Sequence, residues 1–184
     1  YLETNHQFLK NFSGPAIDYF GSRLRVIHLR RDPVSVASSF YAIGSIPGKT
    51  ERGSLYLIDP HRSDNVLPIG DVLDKDPDFS DDLYRCLWYW YEMEARVVRL
   101  LETYPEISLM HLATDDLNQP DRVKGLLDFL DLSHLADSVL PKVGLRANQK
   151  RDEKQRTVER DKAEEMNQQL SQLLQERFDA RYIQ

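Results

Sequence analysis

Two arginines, an aspartate, a proline and three serines stand within ten residues of one another in Arg30-Arg31-Asp32-Pro33-Val34-Ser35-Val36-Ala37-Ser38-Ser39. They directly follow the apolar run Leu24-Arg25-Val26-Ile27-His28-Leu29. That order suits the binding of an anion. Asp32 occupies the place of a helix N-cap and Pro33 the first helical position, where its missing N–H and fixed φ cost nothing. The amides of Val34 and Ser35 are then expected as free donors at the positive end of a helix, beside two guanidinium groups that can fork onto phosphate oxygens. An ordinary capped turn, with Asp32 paired to Arg30 or Arg31, carries the same local signature.

The elements that must position these groups follow from periodicity. Leu24 to Leu29 reads as a strand, too short for a buried helix, and a helix runs from Pro33 to about Ala42. Ahead of them lie a short strand, Tyr1 to Thr4, and helical turns from Gln7 to Phe20 broken near Ser13-Gly14-Pro15. The stretch from Gly44 to Asp82 has no sustained period and is expected to be a long loop that could serve as a lid. From Asp82 to Tyr104, apolar residues recur at helical spacing until Pro105 stops them. Ile107 to Leu112 reads as a further strand, and Thr114 to Pro120 supplies capping chemistry for a helix through Leu130. Strands alternating with helices predict an α/β class with a parallel sheet covered on both faces. Residues 1–150 are expected to form that domain. A charged tail, 151–184, carries Val158, Met166, Leu170, Leu173, Leu174 and Phe178 at helical spacing. It reads as a helix packed on the domain or on a partner, a second copy of the chain included.

Composition limits the function classes. A net charge of −6 in 184 residues leaves no face-wide excess of Lys and Arg, so no nucleic-acid partner is expected. No run approaches the roughly 18 apolar residues of a membrane span, and the chain is expected to be soluble. The single cysteine, Cys86, is expected in the core. His6, His28, His61, His111 and His134 lack the paired spacing of metal sites, so no metal centre is expected, and His28 and His111 read as structural strand residues. Gly44-Ser45-Ile46-Pro47-Gly48-Lys49-Thr50 imitates a nucleotide-binding P-loop but has three residues between its glycines where that motif has four, and no clear helix after it. His6 lies just past the first strand, where open α/β sheets place reactive groups, and could act as a general base. Trp88, Tyr89, Trp90 and Tyr91 cannot all face one way on a helix. Trp90 and Tyr91 are expected in the core, the others there or in a cleft.

The run Val26-Ile27-His28-Leu29-Arg30-Arg31-Asp32-Pro33, with Ser39 eight residues after Arg31, resembles the 3'-phosphate-binding segment of sulfotransferases that use PAPS, 3'-phosphoadenosine 5'-phosphosulfate. Leu2-Glu3-Thr4-Asn5 resembles the strand that carries the family's catalytic histidine, and Trp88 to Tyr104 its long helix ending in Tyr-Pro. Thr114-Asp115-Asp116-Leu117 looks like its closing turn, and Leu127-Asp128-Phe129-Leu130-Asp131-Leu132 like its "FLGL" segment. The resemblance spans roughly Tyr1 to Arg151. It departs from the family at Glu3-Thr4-Asn5-His6, where many members read Lys-Thr-His, and in holding no Gly/Ser-rich loop for the 5'-phosphosulfate. An amino-terminal strand and loop are therefore expected to precede Tyr1 in the native protein.

The resemblance implies a three-layer, P-loop-like fold and transfer of a sulfuryl group from PAPS to a hydroxyl or amine, leaving PAP, with no metal. It assigns Arg31 and Ser39 to the 3'-phosphate and suggests Arg146 and Lys150 as further nucleotide contacts. His6 is the candidate base and Glu3 the alternative. The acceptor would be a small molecule, glycan or lipid near the Gly44 to Asp82 stretch. Two other readings share parts of this pattern: a P-loop kinase or NTPase, and a non-catalytic sulfotransferase-like domain that binds partners through the tail.

Overall fold

The computed structural model describes residues 7–145 and 158–183. A π-helical turn, Phe8–Phe12, runs into α1 (Ser13–Phe20), followed by β1 (Arg25–Arg30), α2 (Pro33–Ala42), α3 (Glu51–Tyr56) and α4 (Gly70–Lys75). Then come α5 (Asp82–Thr103), β2 (Ser108–Ala113), α6 (Pro120–Phe129), α7 (Ala136–Val139) and α8 (Arg160–Arg177). The chain is mainly helical with a small parallel sheet of β1 and β2, compatible with the expected α/β class. The break expected near Ser13-Gly14-Pro15 is a change of pitch at Phe12. Pro15 falls in the first turn of α1, where a missing N–H is harmless.

The described residues divide into two compact units. The first comprises residues 7–12, 32–105 and 158–183, and its centre is α5. Asp81 caps this helix, its Oδ1 accepting the Leu83 amide at 2.9 Å. Every residue from Leu83 to Glu92 is buried. A helix enclosed on all sides needs cover on each of them. Val34 and Ala37 of α2 and Ala163, Met166, Leu170 and Leu174 of α8 supply part of it.

The rest comes from the stretch expected to be a loop. Ile46, Ile58, Leu67, Ile69 and Leu73 are each 2% exposed or less. Burying such a side chain contributes about 1.5–3 kcal/mol, which holds this segment closed. It is core and not a lid. All of Trp88, Tyr89, Trp90 and Tyr91 are likewise buried, so the cleft role open to two of them is not taken up in this unit.

Polar side chains on α5 hold that segment by its backbone. Glu92 accepts the amides of Val66 at 3.0 Å and Leu67 at 2.8 Å, and Trp88 Nε1 donates to the Leu67 carbonyl at 2.7 Å. Arg96 donates to Glu92 at 2.6 Å and reaches Asn65 Oδ1 at 3.1 Å and the Asp64 carbonyl at 3.3 Å. One turn before Trp88, Arg85 binds Asp74, whose other oxygen lies 2.8 Å from His61 Nε2. Residues 85, 88, 92 and 96 recur at helical spacing and form one stripe.

The second unit comprises residues 13–31 and 106–145. Its strands pair in register from Arg25↔Ser108 to Arg30↔Ala113. The end of α6 is tied to β1 through Arg25, which donates to the Phe129 carbonyl and pairs with Asp131. Asp131 has φ 58°, and the Leu132 amide returns to the Leu127 carbonyl at 2.7 Å. Glycine is the usual residue for that left-handed helix cap. An aspartate adopts it at some cost, offset here by the pairing with Arg25.

Candidate functional site

At the start of α2 the structure realises the sequence-predicted turn. β1 ends at Arg30, Arg31 and Asp32 form the connection, and Pro33 opens the helix. Asp32 is the N-cap, its Oδ2 accepting the Ser35 amide at 2.7 Å while its carbonyl accepts Val36 N at 3.1 Å. Partial burial pushes the Asp32 carboxyl up. Its hydrogen bonds to Ser35, the positive charge of Arg160 on α8 and the Val34 amide together hold it below the usual carboxylate range.

This corrects the expectation of free amides. The Ser35 donor is engaged by Asp32, so the helix tip already carries a carboxylate where an incoming anion would need a cation. Arg31 is exposed, and Ser39 is half-buried on α2, about 10 Å along the helix axis from Asp32. Arg160 adds positive charge near Asp32, while its Nε donates to Glu164 at 2.6 Å.

No family model, curated protein or solved structure matches the chain. The reading of the site therefore rests on its own residues.

His6, Glu3, Arg146 and Lys150 lie outside the described residues. The imitation P-loop is structural: Thr50 Oγ1 accepts the amides of Ile46 at 3.0 Å and Gly53 at 3.1 Å, and Lys49 pairs with Asp82 at 2.6 Å. A short helix does follow it, α3, capped by Thr50. A cavity of about 240 Å³ in the first unit is lined by Tyr41, Asp81, Leu83, Glu159, Lys162 and Met166. Two carboxylates face one ammonium there, so its lining has no surplus positive charge to hold a phosphate.

Three buried or paired groups escaped the sequence reading. Lys10 is buried with its ammonium donating to the Tyr56 carbonyl and lying 5.5 Å from the Tyr89 ring centre, and burial pushes it down to about 8. Burial pushes the Glu92 carboxyl up, against the amides of Leu67 and Val66 and the charge of Arg96. The signal for Glu92 and Arg96 was present as an i, i+4 pair inside an apolar helix. His28 and His111 stand side by side with Nδ1 atoms 3.0 Å apart. No sequence spacing reveals that pair, because the strand register creates it. Cys86 is in the core as expected, and burial pushes its thiol up to about 12, which leaves it inert near neutrality.

Proposed function

We propose that this chain is part of a PAPS-dependent sulfotransferase, with Arg31 and Ser39 holding the 3'-phosphate of the nucleotide. The observation that carries the reading is the continuous order of β1, the Arg31-Asp32-Pro33 turn and α2 with Ser39 on it. The capped tip supports a phosphate seated along the helix flank, where Ser39 lies, over one seated at its end. A second support is Asp131, whose left-handed backbone stands where the family's "FLGL" segment has its glycine. In this reading β1 and β2 belong to a parallel sheet flanked by helices in a three-layer, P-loop-like arrangement.

The chemistry is an in-line displacement. The bond from sulfur to the phosphate oxygen of PAP breaks as a bond forms from sulfur to an acceptor oxygen or nitrogen, and a base removes the acceptor's proton. The protein's part is positioning and stabilising negative charge on the transferred group and the departing phosphate. His6 is the proposed base, with Glu3 as the alternative. The acceptor is a small molecule, glycan or lipid.

Calorimetric titration with PAP tests this. The wild-type chain is expected to bind PAP in preference to ATP. Arg31→Ala and Ser39→Ala are each expected to weaken binding, Arg31→Ala by roughly tenfold or more, as loss of a charge-assisted hydrogen bond would. Unchanged binding in both variants overturns the assignment. Preference for ATP redirects it to a kinase or NTPase, and binding of neither nucleotide to a non-catalytic domain.

A further inference from the structure

We propose that the cavity where the end of α2 meets the starts of α5 and α8 is a binding site for a small organic cation, an ammonium group carried on an apolar body. Part of its wall is apolar: Leu83 and Met166 are 1% and 6% exposed, and Val158 and the ring of Tyr41 join them. Its charged groups are Asp81, Glu159 and Lys162. Such a lining suits a ligand with an apolar body and a charged end.

The sign of the ligand follows from those charges. Two carboxylates stand against one ammonium, so a cation is favoured over an anion. Asp81 Oδ1 is held by the Leu83 amide at 2.9 Å, while Oδ2 lies 3.9 Å from Lys162 Nζ. That is an ion pair too long for a hydrogen bond, and a ligand N–H can compete for the same oxygen. Glu159 is the N-cap of α8, yet its side chain makes no capping hydrogen bond, so its carboxylate is not engaged by its own helix. Spacings of three and four residues put Glu159, Lys162 and Met166 on one face of α8. The negative field extends past the lining: burial pushes the Tyr84 hydroxyl up, and the charges of Asp81, Glu165 and Asp78 push it further.

The volume limits the ligand further. About 240 Å³ lies below the roughly 300–1,000 Å³ of sites for drug-sized molecules, and fits a single ring with a short amine arm. A bare metal ion would gain nothing from the apolar wall, and among the described residues no group of three His, Cys, Asp or Glu could hold one. Tyr41 follows Ser39 by two residues, about 200° round α2, so the cavity does not share the flank proposed for the nucleotide. The site does not depend on the nucleotide reading, and its failure would leave that reading untouched.

Titration of the chain with phenethylammonium chloride, followed through the methionine methyl resonances, tests the site. Of the chain's three methionines, Met93, Met110 and Met166, the last lines the cavity. Its signal in the wild-type chain is expected to shift saturably below about 10 mM probe while the other two stay in place, a readout free of any variant's folding. Hydrocinnamate, of the same size and opposite charge, is expected to bind at least about fivefold more weakly. Asp81→Asn, which keeps a capping oxygen, and Glu159→Gln should each weaken binding of the cation by about threefold. Lys162→Gln removes the competing ammonium and should tighten it by about threefold. No saturable Met166 shift, equal binding of the two probes, unchanged affinity in both carboxylate variants, or weaker binding in Lys162→Gln overturns the proposal.

Discussion

Glu92 and Arg96 meet at 2.6 Å with 0% and 4% of their side chains exposed, whereas Asp32 caps α2 at the surface with one amide 2.7 Å away. Both arrangements set a carboxylate on backbone N–H groups, and they differ in what surrounds it. Around Glu92 each oxygen is occupied: Val66 and Leu67 donate from the segment outside the helix and Arg96 from the turn below. Around Asp32 the donors come from the helix's own first turn, Ser35 and the Val34 amide, and the carboxylate stays exposed. A buried charge of this kind has no solvent to fall back on, so it commits the backbone it touches to one path. A surface cap sharpens a helix end without committing the backbone around it.

The contrast is sharpest in the cost of removing one partner. Glu92→Ala leaves two amides unpaired in the core and takes from Arg96 its nearest carboxylate, and a loss of about 3–5 kcal/mol is expected in denaturant unfolding. A loss under about 1 kcal/mol would break the comparison. Asp32→Ala removes only a cap, and about 1 kcal/mol is expected from the same measurement. Lys49→Ala, which cuts the exposed pair with Asp82, is expected to change stability by no more than about 1 kcal/mol.

Acid titration separates the two carboxylates by sign. Asp32 is held below its ordinary value, so its contribution is complete above the unfolded pKa of about 3.9 and disappears as pH falls through the lower folded value. Relative to Asp32→Asn, the wild type therefore loses ground only at the acid end. Glu92 is pushed up, so relative to Glu92→Gln the wild type gains stability as pH falls from the folded pKa towards the unfolded one. Parallel pH profiles for the two pairs would refute this. At the alkaline end, Lys10 is held at about 8 against 10.5 unfolded, so stability should rise between those values in the wild type and not in Lys10→Met.

Much of the fold was legible because its elements obey local rules. The strand expected from Leu24 to Leu29 is Arg25–Arg30, the helix from Pro33 to about Ala42 is Pro33–Ala42, and the helix from Asp82 is Asp82–Thr103. Caps, prolines and apolar periods mark these boundaries within a few residues. The Gly44 to Asp82 stretch hid its role because its core residues follow no single period and its backbone is satisfied by side chains about 25 residues away on α5. At the candidate site, the Asp32 cap and Pro33 were readable. The engagement of the Ser35 amide and the charge of Arg160 were less so, since each depends on where a side chain comes to rest. The histidine pair depends on register, which only the folded sheet defines.

The grip of α5 on residues 65–67 falls chiefly on main-chain atoms: two amides on Glu92 and one carbonyl on Trp88. Every residue type except proline carries the same amide, and all carry the same carbonyl. Exposed positions beside that grip, such as Ser63 and Pro68, are therefore free to be exchanged by mutation while the path of the chain persists. A surface mounted in this way can diversify over evolutionary time without renegotiating the core beneath it.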